Sequence, residues 1–84
     1  RPNGKLQLLN TDKDTNILAF SREQDDQKIL VIINLGAEAT DFHLLGSGYE
    51  GRYMDVMNNL MPVTLGSTPC FSLPAWGYSV FQGK

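Results

Sequence analysis

Reactive side chains are few in this sequence, which holds one histidine, His43, and one cysteine, Cys70. An imidazole beside a thiol makes a base and a nucleophile, and both side chains ligate zinc. A closed zinc site takes four such ligands, so the numbers exclude one here. A cysteine–histidine couple would have to be brought together by the fold alone, across 27 positions of chain. The sequence therefore predicts His43 as a surface residue at a strand end and Cys70 as a small buried apolar residue of a strand. A single cysteine also rules out an internal disulfide and leaves the redox compartment open.

The carboxylates point the same way. Asp12, Asp14, Asp25, Asp26, Glu38 and Glu50 lie mainly in turn-forming stretches, where solvation and side-chain-to-backbone hydrogen bonds account for them. Asp12-Lys13-Asp14-Thr15-Asn16 has the opening pattern of an EF-hand calcium loop, with Glu23 at the twelfth place. Ile17 stands at the sixth place, where that loop turns on a glycine, and the flanks read as extended, so no calcium is expected. Gly46-Ser47-Gly48-Tyr49-Glu50-Gly51 has Gly-x-Gly-x-x-Gly spacing but precedes a strand, not the helix that a phosphate cradle needs. No metal, cofactor or catalytic residue is assigned.

Two aromatic residues remain as candidates for binding. Trp76, in Pro74-Ala75-Trp76-Gly77, sits in a turn between strands, where an indole stacks on a sugar, packs over the end of the fold or fits against another domain. Tyr49 also reads as loop-borne and is the second ring expected at a sugar platform.

The elements that must position these residues are strands. Apolar and β-branched runs fall at residues 5–9, 17–22, 28–34, 40–44, 51–56, 62–65, 70–73 and 78–82, separated by turn-forming clusters. That spacing indicates an antiparallel sandwich or barrel in one all-β domain spanning residues 1–84. Tyr53, Val56, Met57 and Leu60 fall at helical spacing, but Asn58-Asn59 argues for a strand and turn. Within the hairpin 17–36, Ile29, Leu30, Val31, Ile32 and Ile33 are all large aliphatics, so this strand must be covered on both faces. Few residues are left to supply the second cover. That, with a start at Arg1-Pro2-Asn3-Gly4 lacking an initiator Met, suggests an excised piece of a larger protein.

Composition bounds the rest. The chain is 42% hydrophobic and 19% charged, too apolar for disorder. A net charge of −2 and a pI of 5.1 leave no basic stripe, so nucleic acid is not expected as a partner. The longest purely aliphatic run, 29–33, is far too short to span a membrane. No compartment follows.

Taken in order, Leu18-Ala19-Phe20-Ser21-Arg22, Val31-Ile32-Ile33-Asn34-Leu35, Gly51-x-Tyr53-x-Asp55 and Leu73-Pro74-Ala75 resemble the C-terminal β domain of α-amylase-family glycoside hydrolases, over nearly the whole chain. The resemblance implies an eight-stranded antiparallel Greek-key β-sandwich that follows a (β/α)₈ barrel and packs on it. The barrel carries the catalytic carboxylates, so none is assigned here. Phe20 would fill the core, Arg22 would pair at a strand end, Asn34 would turn the chain out of the central strand, and Tyr53 would anchor the fifth strand. The fourth strand departs from the pattern, because Ala39-Thr40-Asp41-Phe42-His43-Leu44 is not distinctive. The implied function is stabilisation of a barrel that cleaves or transfers α-glucosidic bonds in starch-like glucans. Two alternatives stand beside it: an auxiliary module contacting α-glucan through Trp76 and Tyr49, and an unrelated protein-binding sandwich.

Overall fold

The structure, a computed structural model, describes residues 5–13 and 15–83. Eight strands account for nearly all regular structure: β1 (Lys5–Thr11), β2 (Ile17–Gln24), β3 (Gln27–Asn34), β4 (Thr40–Leu45), β5 (Gly51–Asp55), β6 (Met61–Leu65), β7 (Cys70–Leu73) and β8 (Tyr78–Gly83). Each expected strand is present within a residue or two of its expected bounds. The segment with helical spacing resolves into the end of β5, a turn and the start of β6, because Asn59 and Leu60 both take positive φ, which a helix cannot include.

All pairings are antiparallel, in the order β6-β5-β8-β3-β2-β1-β4-β7. The run β4-β1-β2-β3 is a Greek key, three strands joined by hairpins with the fourth returning beside the first. β1 makes the corner of the sandwich: residues 5–9 pair with β2, whereas Asn10 and Thr11 pair with β4. One layer is therefore β6-β5-β8-β3-β2-β1, and β4 and β7 fold over it. The edge strands β6 and β7 are short and carry or adjoin Pro62, Pro69 and Pro74, which suits edges that must not recruit another chain.

Strand periodicity decides what the sandwich encloses. Ile17 and Ala19 of β2, Leu30 and Ile32 of β3, Phe42 and Leu44 of β4, Tyr53 of β5, Leu65 of β6, Leu73 of β7 and Phe81 of β8 form one buried cluster with Tyr49. Each large apolar side chain so buried contributes about 1.5–3 kcal/mol. Phe42, Phe71 and Phe81 link the layers, with ring centroids 5.7 Å apart at each step.

Two expectations fail on the same periodicity. Phe20 does not fill the core: Ile17, Ala19 and Ser21 take the inward positions of β2, and Phe20 is left half-buried on the outside. Cys70 is exposed, not buried, since Phe71 and Leu73 hold the inward positions of β7.

Candidate functional site

The outer face of the larger layer is the distinctive surface. On β3, Leu30 and Ile32 point into the core and Ile29, Val31 and Ile33 point out, only half-buried. Their cross-strand partners share the face: Arg22, Phe20 and Leu18 on β2, and Gln82, Val80 and Tyr78 on β8. Leu6 and Leu8 of β1 pair with Arg22 and Phe20, and Met54 of β5 pairs with Gln82. Val56, whose amide donates to the Val80 carbonyl at 2.9 Å, extends the face past the end of β5. Leu8 is 70% exposed and Tyr78 53%. The face is apolar across the middle and at the Tyr78 end; at the other end Arg22 and Gln82 interrupt the apolar side chains of Leu6, Ile29 and Met54.

Local chemistry holds the Tyr78 end rigid. Asn34 is fully buried at the end of β3. Its side-chain amide donates to the carbonyls of Glu38 at 2.9 Å, Leu73 at 3.4 Å and Pro74 at 3.0 Å. Its Oδ1 accepts from the Gly36 amide at 2.9 Å, and its own amide donates to Gly77. One side chain thus fixes the exit from β3 and the turn from β7 to β8. That turn is closed by Gly77 N donating to Pro74 O at 2.9 Å and Trp76 N donating to Gly36 O at 3.2 Å.

Tyr49, expected as a sugar-stacking ring, is instead 0% exposed. The loop that bears it folds inward, and its hydroxyl donates to the Gly46 carbonyl at 2.9 Å while accepting from the Thr68 amide at 3.2 Å. No face of the ring is free for a sugar. Trp76 is exposed and enters none of the aromatic contacts of the described residues. Tyr53 is buried and donates to the Tyr49 carbonyl at 2.7 Å; burial raises its hydroxyl pKa, and the nearby Lys28 opposes that. Lys28 itself is held by Glu23 at 3.5 Å and by the Gly48 carbonyl. Arg22 is exposed and forms no ion pair with a carboxylate among the described residues.

The fold does bring the reactive side chains together. β4 pairs with β7 so that His43 and Cys70 stand directly opposite on the outer side of the smaller layer. Asp12, in the turn after β1, accepts from the His43 amide at 2.8 Å and lies 2.9 Å from its Nδ1. An ionised carboxylate only accepts, so Nδ1 carries the proton. This has the order of a nucleophile, a base and an orienting acid, but no hydrogen bond joins the thiol to the imidazole among the described residues. The pair lies on an open sheet face, with Cys70 exposed and His43 half-buried. The arrangement therefore serves as a clamp between the β1–β2 turn and β4. Among the described residues no group of His, Cys, Asp and Glu could hold a metal; Asp14, of the calcium-loop pattern, lies outside them.

The clamp carries a pH dependence. Hydrogen bonds from the His43 amide, and then from its ring, hold the Asp12 carboxyl below its usual value of 3.8. A depressed folded-state pKa contributes stability that is fully present above the unfolded value and is lost as pH falls through the folded one. Asp12→Asn is accordingly expected to flatten the acid limb of the domain's stability below about pH 4. Denaturant midpoints measured from pH 6 to pH 2 check this: parallel curves for wild type and variant would show that the clamp contributes nothing.

The sequence contained the members of the outer face but not their parity. Alternation of Leu6 and Leu8 about Gln7 was the one local signal. A comparison with known protein families gives a match over residues 6–80 to the model of the maltogenic amylase C-terminal domain. No curated protein matches the chain.

Proposed function

The chain belongs to the family of maltogenic amylase C-terminal domains, and on that premise we propose that it is a non-catalytic domain that docks its outer sheet face on the catalytic barrel of the same polypeptide and stabilises it. The observation that carries this reading is the apolar face built from Leu6, Leu8, Leu18, Phe20, Val31, Ile33, Tyr78 and Val80. Monomeric soluble domains seldom expose so many apolar side chains in one continuous patch. Docking at about 800 Å² per partner is of ordinary size, against a total surface of 5460 Å².

Hydrolysis or transfer of α-glucosidic bonds belongs, on this reading, to a carboxylate nucleophile and a carboxylic acid in the barrel. This domain contributes none of that chemistry. Family membership replaces the reading of an unrelated protein-binding sandwich, and the burial of Tyr49 removes one of the two rings assigned to α-glucan.

Two versions of the parent enzyme test the proposal. Removing residues 1–84 is expected to lower its melting temperature by about 5 °C or more and to shorten its active half-life on heating. The double variant Leu8→Asp, Leu18→Asp, which changes only exposed side chains, is expected to reproduce part of that loss. Unchanged melting temperature and activity in both would overturn the reading.

A further inference from the structure

Five non-glycine residues of the described chain adopt positive φ: Asp25, Asn59, Leu60, Thr68 and Trp76. Asp25 and Asn59 are residue types that tolerate this region, because short polar side chains bond to the local backbone. Thr68 is pinned by its amide's bond to the buried Tyr49 hydroxyl. Leu60 and Trp76 also have bonded amides, Leu60 N donating to Asp55 O at 2.9 Å and Trp76 N donating to Gly36 O at 3.2 Å, but these bonds fix the turns and give no reason for a large apolar side chain at either place. Met61 N donates to Asn58 O at 3.1 Å, closing a turn whose central residues, Asn59 at 55° and Leu60 at 58°, have the left-handed pattern of a type I′ turn. Glycine is the favoured second residue there. In the Pro74–Gly77 turn, Trp76 at 61° holds the third position, again one where a positive φ calls for glycine.

Both side chains are bulky, apolar and exposed, Leu60 at 55% and Trp76 at 66%. Neither is buried within the domain in return for its strained backbone. Both turns also leave the same end of the larger layer. β5 runs antiparallel to β8, so the turn after Asp55 lies beside the start of β8, which the Trp76 turn feeds. Val56 and Tyr78 join the two turns to the apolar outer face.

We propose that Leu60 and Trp76 are the anchors of the domain's interface with the catalytic part of its polypeptide, two rigid apolar prongs whose backbone strain is retained because the side chains are buried in that partner. The inference rests on the docking reading above and names the residues through which it acts. Strained backbone concentrates where a partner must be met, and tryptophan is prominent among the residues that dominate interfaces. A rigid turn also presents its side chain with little ordering left to be done on binding.

The sign of a glycine substitution tests it in the full-length enzyme. At a left-handed site whose side chain touches nothing, glycine relieves strain and the melting temperature rises or holds. If Trp76 and Leu60 are anchors, Trp76→Gly and Leu60→Gly each lower it by about 3 °C or more. Both also speed proteolytic cutting between the domains. Asp25→Gly, at the left-handed residue of the opposite sheet end, calibrates glycine itself and is expected to move the midpoint little. A raised or unchanged melting temperature for Trp76→Gly and Leu60→Gly overturns the anchors. If Leu8→Asp, Leu18→Asp is still destabilising in that case, the docking reading survives without them. If that double variant is also silent, the docking reading fails with them.

Discussion

Asn34→Leu is expected to cost the domain about 3–5 kcal/mol of stability, a large part of the 5–15 kcal/mol available to a small domain. Leucine fills the same space but leaves the carbonyls of Glu38, Leu73 and Pro74 without their donor and the Gly36 amide without its acceptor. The expected structural effect is local: the exit of β3 and the turn into β8 loosen together, because one amide holds both. Asn34→Asp makes the sharper comparison. Its carboxylate still accepts from Gly36, yet it faces three carbonyl oxygens with nothing to donate, so it is expected to be at least as damaging at neutral pH and to recover partly in acid, once protonated. Chemical denaturation followed by circular dichroism decides the matter, and a loss below about 1 kcal/mol for Asn34→Leu would show that water replaces the side chain.

Tyr49 supports the second large prediction. Tyr49→Ala removes a fully buried ring from the centre of the cluster and is expected to cost about 3–5 kcal/mol. Tyr49→Phe keeps the ring and removes the hydroxyl that serves Gly46 and Thr68; its expected cost is about 1–2 kcal/mol. The difference between the two measures packing, and the smaller value measures the tie between the loop at 46–50 and the turn before β7. Equal losses would mean that the hydroxyl network, not the ring, carries the site.

The contrast between Tyr49 and Trp76 shows what the sequence could and could not reveal. Strand positions were legible because turn-forming residues punctuate apolar runs at regular intervals, and that pattern is local. The two-sided strand at 29–33 was legible for the same reason. Which of its faces meets the core was not, since both parities are equally apolar; Ile17, Ala19 and Phe81 decide it through register, a long-range property. Phe20, a core residue on the resemblance, pairs with Val31 and so faces outward with it. Tyr49 lies in a glycine-flanked stretch that reads as an exposed loop, and only the inward fold of the loop makes it core. Cys70 reads as a buried strand residue by type, but the inward places on its four-residue strand go to Phe71 and Leu73. The meeting of His43 with Cys70 depends on β4 pairing with β7, in the part of the chain least distinctive in sequence. The strain at Leu60 and Trp76 had a faint signal, a leucine and a tryptophan where turn chemistry calls for glycine, but it could be read only once the turn register was known.

Chain order and sheet order part company at one strand. β8, the last in sequence, is inserted between β3 and β5 near the middle of the larger layer. The β2–β3 hairpin can form as soon as it is made, but one edge of its aliphatic strand then waits unpaired, and the β5–β6 hairpin waits beside it with no neighbour. On a ribosome, completion of this sandwich is therefore a closing event that the final strand triggers, and it comes late because the contacts involved are the most distant in the chain. Until then the open edge at 29–33 is the segment most in need of a chaperone's cover.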